Sequence, residues 1–157
     1  MYPKKEISSK DALIKAQKLC ARQEKCKSDI RKKLYDWKVP AETIESIINK
    51  LVDEKFIDEK RYAEYFVRDK FRFNKWGRIK IAYALKQKQI HQSIIDSALK
   101  EINDKEYRET LKNELQKKRK TLKDSETFKI KEKLLRFAQS KGYEPEIIFD
   151  LIDKVIE

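Results

Sequence analysis

Two glycines, three prolines and two cysteines in 157 residues leave this chain without the material for several kinds of site. Glycine at that frequency gives no phosphate-cradling loop and few tight hairpin turns, so neither a nucleotide pocket of the usual kind nor an all-β fold is expected. Cys20 and Cys26 match no zinc spacing and His91 is the only histidine, so four metal ligands of the common type cannot be assembled. Neither cysteine has a base close by in sequence, and no Ser/His/Asp set is present. No catalytic residue, cofactor or metal is expected, and the chain is not expected to be an enzyme. No hydrophobic run approaches the ~20 residues that span a bilayer, and no signal-peptide core precedes Asp11. The expectation is a cytoplasmic protein with no membrane partner.

What the chain does have is charge and repetition. Charged residues make up 42%, and the formal net charge is +12. That composition suits long solvated helices and an anionic partner, either nucleic acid or an acidic protein surface. Residues 1–50 carry 13 basic against 7 acidic side chains, residues 51–105 carry 13 against 9, and residues 106–157 carry 13 against 11. By this count the N-terminal two-thirds is the better place for an anion-facing surface.

The apolar pattern recurs three times. Ile30, Leu34, Val39, Ile44, Ile47, Ile48 and Leu51 reappear 51 residues later as Ile81, Leu85, Ile90, Ile95, Ala98, Leu99 and Ile102. A further 53 residues on they return as Leu134, Ala138, Tyr143, Ile148, Leu151, Ile152 and Val155. Each copy reads as helix, short connection, helix, preceded by another helix. Self-similarity at this period predicts an all-α fold of three tandem three-helix repeats, an array that offers a long surface rather than a catalytic pocket. The expected units are a flexible arm over 1–10, then repeats over 11–52, 53–103 and 104–157. Ser9 or a neighbour is the expected first cap, Ser28 the second, and Pro40 suits the opening of a third helix. Asp58 caps the longest well-patterned helix, expected from Glu59 to Asn74, which Gly77 ends. The thinly apolar helix over 104–122 absorbs the mismatch between the two offsets, and Asp124-Ser125 restarts the chain.

On the helix after Asp58, Arg61, Arg68, Arg72 and Lys75 fall within a ~60° stripe at 100° per residue, opposite Tyr62, Phe66, Val67 and Phe71. Like charges so arranged repel by a few tenths of a kcal/mol per close pair, which an anionic partner would offset. A solvated face with Glu64 and Asp69 as counter-ions is the plainer alternative. A second basic group contains Lys25, Lys27, Arg31, Lys32 and Lys33. A third, with Lys75, Arg78, Lys80, Lys86 and Lys88, occupies the matching place one repeat later, interleaved with Phe73, Trp76 and Tyr83 as base-stacking surfaces often are. Phe73 lies on the apolar face and is expected in the core. Ile79 and Tyr83 point away from Ile81 and Leu85 and need a second partner, either the adjacent repeat or a bound protein. His91 takes a helix-start position and is expected to be structural or exposed. Cys20 is expected to be packed, and Cys26 more exposed.

Phe56-Ile57-Asp58-Glu59-Lys60-Arg61-Tyr62-Ala63-Glu64-Tyr65-Phe66-Val67 resembles the central signature of the RecX family of bacterial recombinase regulators. Trp76-Gly77-Arg78-Ile79 with Leu85 and Ile90 is similar to that family's glycine–basic–isoleucine stretch and the turn that follows. Ser28-Asp29-Ile30-Arg31-Lys32-Lys33-Leu34 resembles its first-repeat segment, and Lys141-Gly142-Tyr143 its last-repeat turn. Three departures are chemically mild: Asp58-Glu59 for Asp-Asp, Gln89 in place of the turn glycine, and Asp29-Ile30 for Glu-Leu. The resemblance, over about Ala12 to Ile156, implies an elongated, curved array that binds RecA recombinase filaments. It further implies restraint of ATP hydrolysis, strand exchange and filament extension, with weaker electrostatic contact to single- or double-stranded DNA. Arg61, Arg68, Arg72, Lys75, Arg78 and Lys80 are the first candidates for the contact surface, and Lys27, Arg31 and Lys32 the second. A monomer is expected. The rival expectation is a stand-alone helical DNA- or RNA-binding protein. An adaptor for an uncharged partner sits poorly with +12.

Overall fold

A computed structural model of the chain describes residues 7–157. The order is α1 (Ser9–Arg22), α2 (Lys27–Asp36), α3 (Ala41–Asp53), α4 (Glu59–Asn74), α5 (Arg78–Gln87), α6 (Gln92–Leu99), α7 (Asp104–Thr121), α8 (Thr127–Ser140) and α9 (Pro145–Ile156). Among the described residues there is no strand. Helices α1–α3, α4–α6 and α7–α9 form three bundles, and within each bundle every helix packs on the other two. The arm expected over 1–10 lies, for residues 1–6, outside the described residues. Helix α1 already starts at Ser9, one residue after its true cap: the Ser8 hydroxyl accepts from the Asp11 N–H at 3.1 Å.

The recurring apolar positions form the cores. All seven in the first copy and all seven in the third are buried, whereas Leu99 and Ile102 in the second are partly covered. Repeat 1 holds a core of its own, and repeats 2 and 3 share one continuous cluster. No hydrogen bond or ion pair joins repeat 1 to repeat 3 among the described residues. The accessible surface of 10653 Å² is about a quarter above the ~8300 Å² of a compact chain of this mass, so the three bundles form an elongated array.

One turn is built three times. Between the second and third helix of each repeat the chain passes through a left-handed residue: Lys38 (φ 60°), Gln89 (φ 62°) and Gly142 (φ 91°). The next residue, Val39, Ile90 or Tyr143, is buried and returns its N–H to the carbonyl of Leu34, Leu85 or Ala138 at 3.0, 3.2 and 3.2 Å. This pairing ends a helix by satisfying its last carbonyls, and glycine is the residue it suits best. Lysine and glutamine carry a Cβ that the left-handed region disfavours, so repeats 1 and 2 hold the turn under strain.

The two glycines of the chain meet at the seam between repeats 2 and 3. Gly77 N–H donates to the Lys141 carbonyl at 2.7 Å and Ile79 N–H to the Gly142 carbonyl at 2.9 Å. A Cβ on Gly77 would stand 2.4 Å from Gly142 O, and one on Gly142 would stand 2.3 Å from Lys80 Cβ and 2.5 Å from Lys80 N. These neighbours are backbone and near-backbone atoms of a different repeat and cannot swing aside. Phe71, Tyr107 and Tyr143 stack across the same seam, with ring centroids 5.8 and 5.0 Å apart.

Repeat 1 is joined to repeat 2 differently. Lys88 Nζ donates to Asp29 Oδ1 at 2.6 Å, and Arg61 Nε to Glu24 Oε1 at 2.6 Å. Cys26, expected to be more exposed, is fully buried and belongs to the core of repeats 2 and 3. It also replaces Ser28 as the cap of α2, because its backbone N–H bonds the Asp29 carboxylate at 3.3 Å in a capping box. Burial alone would raise the Asp29 carboxyl, but hydrogen bonds from Lys88 and the Cys26 N–H outweigh it and hold the group below the usual carboxylate range. The same pairing raises Lys88.

Gly142→Ala should lower the free energy of unfolding measured in urea by several kcal/mol, since both the left-handed φ and the Lys80 contact oppose it. Gln89→Gly should raise stability by about 1 kcal/mol. For Asp29, the folded carboxyl titrates below its unfolded value of ~3.9, so its contribution is complete above that pH and disappears as pH falls through the lowered value. Asp29→Asn should therefore cost about 1 kcal/mol in chemical denaturation at pH 7 and nothing in acid below both values.

Candidate functional site

The candidate surface starts at α4. The Asp58 carboxylate caps it by accepting from the Arg61 N–H at 3.0 Å, and Tyr62, Ala63, Val67 and Phe71 hold its inner face in the core. Phe71 is the last residue of α4 that a neighbour covers. Phe73, expected in the core, is 79% exposed. At 16 residues α4 is twice as long as its partner α6 (8 residues), and Phe73 lies in the last turn of α4, past Phe71, its last buried residue.

The nine candidate cations divide by what holds them. Arg68 and Arg72 are exposed and make no ion pair among the described residues. With Val67, Phe71, Glu101 and Glu106 they line a shallow depression of about 140 Å³. Lys32 is likewise exposed and unpaired among the described residues. Arg61, on the same stripe, reaches to Glu24 and also donates to the Lys55 carbonyl at 3.2 Å, which spends its fork on tying repeat 1 to repeat 2. Arg31 makes a two-pronged pair with Glu45, at 2.7 and 3.2 Å. Lys27 opens α2 beside Glu59, whose carboxyl burial pushes up, and both line a cleft of about 680 Å³ between repeats 1 and 2. Lys75 does not continue the α4 stripe. It is the C-cap at φ 58°, outside the helix, and its carbonyl accepts from the Tyr143 hydroxyl at 2.8 Å. The helical spacing that placed it with Arg61, Arg68 and Arg72 ends at Asn74.

Arg78 departs furthest from a surface cation. Its guanidinium pairs with Asp104 at 2.5 Å and Glu144 at 2.8 Å and stacks on the Tyr107 ring at 3.9 Å. Tyr107, fully buried, accepts from the Arg78 backbone N–H at 2.9 Å and donates to Glu144. Burial works against the Arg78 charge, and the bonds to Glu144 and Asp104 more than restore it, so its pKa is raised. Arg78 is a strut between repeats 2 and 3. Lys80 is half-buried, with Nζ 4.6 Å above the Trp76 ring and 3.4 Å from the Ser140 carbonyl.

The adjacent repeat does not cover Ile79 and Tyr83. They stand 51% and 65% exposed on the outer face of α5, one turn apart, with exposed Lys86 beside them. Of the two partners expected for this pair, the adjacent repeat is excluded. His91 caps α6, its Nδ1 accepting from the Ser93 N–H at 3.2 Å, and is exposed, as its helix-start position implied. Burial pushes the Cys20 thiol up to about 11 and raises Cys26 as well, so neither is a thiolate near neutral pH. No described helix is long and apolar enough to cross a membrane.

Sequence spacing missed Lys118 and Lys141, which flank the Phe137 ring at 5.5 and 6.0 Å beside Lys80. Lys118 was visible only as part of the run Lys117-Lys118-Arg119-Lys120, and nothing in one dimension links it to Lys80.

Comparison with known proteins gives a consistent result. A family model described as RecX, second three-helix domain, matches residues 58–99, and one described as RecX, third three-helix domain, matches residues 105–152. Regulatory protein RecX of Clostridium botulinum (strain Eklund 17B / Type B) is 35% identical over 97% of this chain and 74% of its own length. The Clostridium tetani protein of the same name is 34% identical over 97% and 72%. The crystal structure of RecX from Lactobacillus salivarius superposes with a TM-score of 0.84 at 24% identity, covering 94% of this chain and 96% of that one. A second crystal structure, of a regulatory protein RecX, gives 0.82 at 25% identity over 98% and 81%.

Strut and surface cations should separate by stability. Arg78→Ala should lower the free energy of unfolding measured in urea by about 2–3 kcal/mol, because it strands Glu144 against the buried Tyr107, whereas Arg68→Ala and Arg72→Ala should each change it by less than about 0.5 kcal/mol.

Proposed function

This chain belongs to the RecX family of regulatory proteins, and from that premise we propose that it binds filaments of a RecA-type recombinase and restrains their ATP hydrolysis, strand exchange and extension. It acts by occupying a surface and carries out no reaction of its own. The observation that carries this proposal is the pairing state of α4: Arg68 and Arg72 stand exposed one turn apart, without ion-pair partners among the described residues, whereas Arg31, Arg61 and Arg78 are each held by a carboxylate. Two guanidiniums outside any ion pair on one helix edge fit carboxylates or phosphates well, since each presents a planar fork of donors. Ile79 and Tyr83 add an open apolar pair on the same repeat, the combination of anchor and charged rim that protein interfaces use. The elongated array suits a long partner that it can follow, and a monomer suffices for this. Electrostatic contact with DNA, weaker than the contact with the filament, is part of the same proposal.

The rival, a protein whose whole target is bare DNA or RNA, differs in its dependence on recombinase. Purified protein should slow single-strand-dependent ATP hydrolysis by RecA at or below stoichiometric amounts. The Arg68→Glu/Arg72→Glu variant should need roughly tenfold more protein for half-inhibition, with an unchanged melting temperature. Absence of inhibition across a wide concentration range would remove the proposal and leave the rival.

A further inference from the structure

Four lysines from separate parts of the chain converge where repeats 2 and 3 meet. Lys70 and Lys80 place their ammonium groups 5.2 and 4.6 Å from the Trp76 ring, and Lys118 and Lys141 lie 5.5 and 6.0 Å from the Phe137 ring. The two rings are linked through the seam. Lys80 Nζ reaches the Ser140 carbonyl at 3.4 Å, Lys141 Nζ reaches the Asn74 carbonyl at 3.1 Å, and Gly142 lies against Lys80. Beside them, Lys118, Lys133, Arg136, Phe137 and Ser140 border an open depression of about 490 Å³.

The carboxylates nearby do not neutralise this strip. Asp124 is taken by Lys133 and Glu132 by Arg136, while Asp104 and Glu144 are taken by Arg78. Lys80, Lys118 and Lys141 have no ion pair among the described residues, and Lys70 has only Asp69 at 3.9 Å. The carbonyls of Asn74 and Ser140 close α4 and α8, and each helix end offers about half a negative charge, less than the lysines bring. Each ammonium has three donors and uses at most one on those carbonyls, so the rest face solvent. Packing the lysine stems on aromatic rings also fixes their direction and lowers the entropy lost on engaging a ligand.

We propose that this seam is a docking site for the phosphate backbone of duplex DNA. Regular oxyanions at high charge density match several fixed ammonium groups in a row. Bases are not engaged, because lysines already stand over both rings and neither is free to stack. The site therefore favours a duplex, which presents phosphates and hides its bases, over a single strand whose binding depends on stacking. It is separate from the Arg68/Arg72 edge. The inference deepens the proposed function and rests on it for its consequence, that DNA and recombinase are held by different surfaces. A binding assay without recombinase lets either fail alone.

The test is fluorescence anisotropy with a duplex of about 25 base pairs and an oligo-dT of equal length, titrated over a series of salt concentrations. Lys80→Gln/Lys118→Gln/Lys141→Gln should weaken duplex binding by roughly tenfold or more at about 100 mM NaCl and make the slope of log K against log salt shallower by about 2–3. Lys118→Gln alone, at a side chain that makes no hydrogen bond or ion pair among the described residues, should make the slope shallower by about 0.9 if the triple variant proves unstable. Arg68→Glu/Arg72→Glu should stay within about threefold of the unmodified protein. Unchanged salt slopes in the lysine variants, an equal loss in the arginine variant, or oligo-dT bound as tightly as duplex would each overturn the proposal.

Discussion

The approach of Gly77 to Gly142 sets how the second and third repeats of this molecule are arranged. With a side chain at either position the backbones of repeats 2 and 3 could not exchange their two hydrogen bonds, because the added carbon would fall within 2.3–2.4 Å of the facing chain. That contact brings the N-terminus of α5 onto the turn before α9, and other features follow from it. Tyr107 can then stack between Phe71 and Tyr143, Arg78 can reach carboxylates on two elements of repeat 3, and the cores of both repeats merge into one. The chain spends both of its glycines on one contact.

Repeat 1 follows a different rule. Its core is closed, and its link to repeat 2 consists of the Asp29–Lys88 and Arg61–Glu24 pairs around the buried Cys26. Partly exposed ion pairs contribute little net free energy, whereas a shared apolar core with paired backbone contributes much more. Local opening free energies in a repeat array are set by such interface terms, so the first junction is the weaker one. The array combines a stiff pair, repeats 2 and 3, with a first repeat attached through charge.

Much of this was legible in one dimension. The seven-position register picked out buried residues in every repeat, all but Leu99 and Ile102, because burial acts on each side chain through local helical geometry, and Glu59–Asn74 was bounded correctly by an N-cap carboxylate and a downstream glycine. The turn at Lys38, Gln89 and Gly142 was visible as a position but not as a left-handed one, since only one of the three is glycine. Phe73 was misplaced because helical phase says which way a residue points and nothing about where its neighbour ends. Cys26 was misplaced because its cover comes from the next repeat. Arg78 read as a free cation because its two carboxylates lie 26 and 66 residues away. Local pattern carried what local geometry decides, and the contacts between repeats were hidden.

Charge shows the same division with more consequence for function. Counted along the chain, the third repeat is nearly balanced and looks like the poorest anion surface. In three dimensions several of its carboxylates are already taken: Asp124 by Lys133, Glu132 by Arg136, Asp150 by Arg108, Asp153 by Lys131, and Asp104 and Glu144 by Arg78 of the neighbouring repeat. Each pair cancels locally, and Lys118 and Lys141, which have no ion pair among the described residues, lie beside Lys80 of the neighbouring repeat. A net charge summed over a window weights every carboxylate equally. A partner at the surface meets only the charges that no neighbour has already answered, and at contact distances that difference outweighs the total.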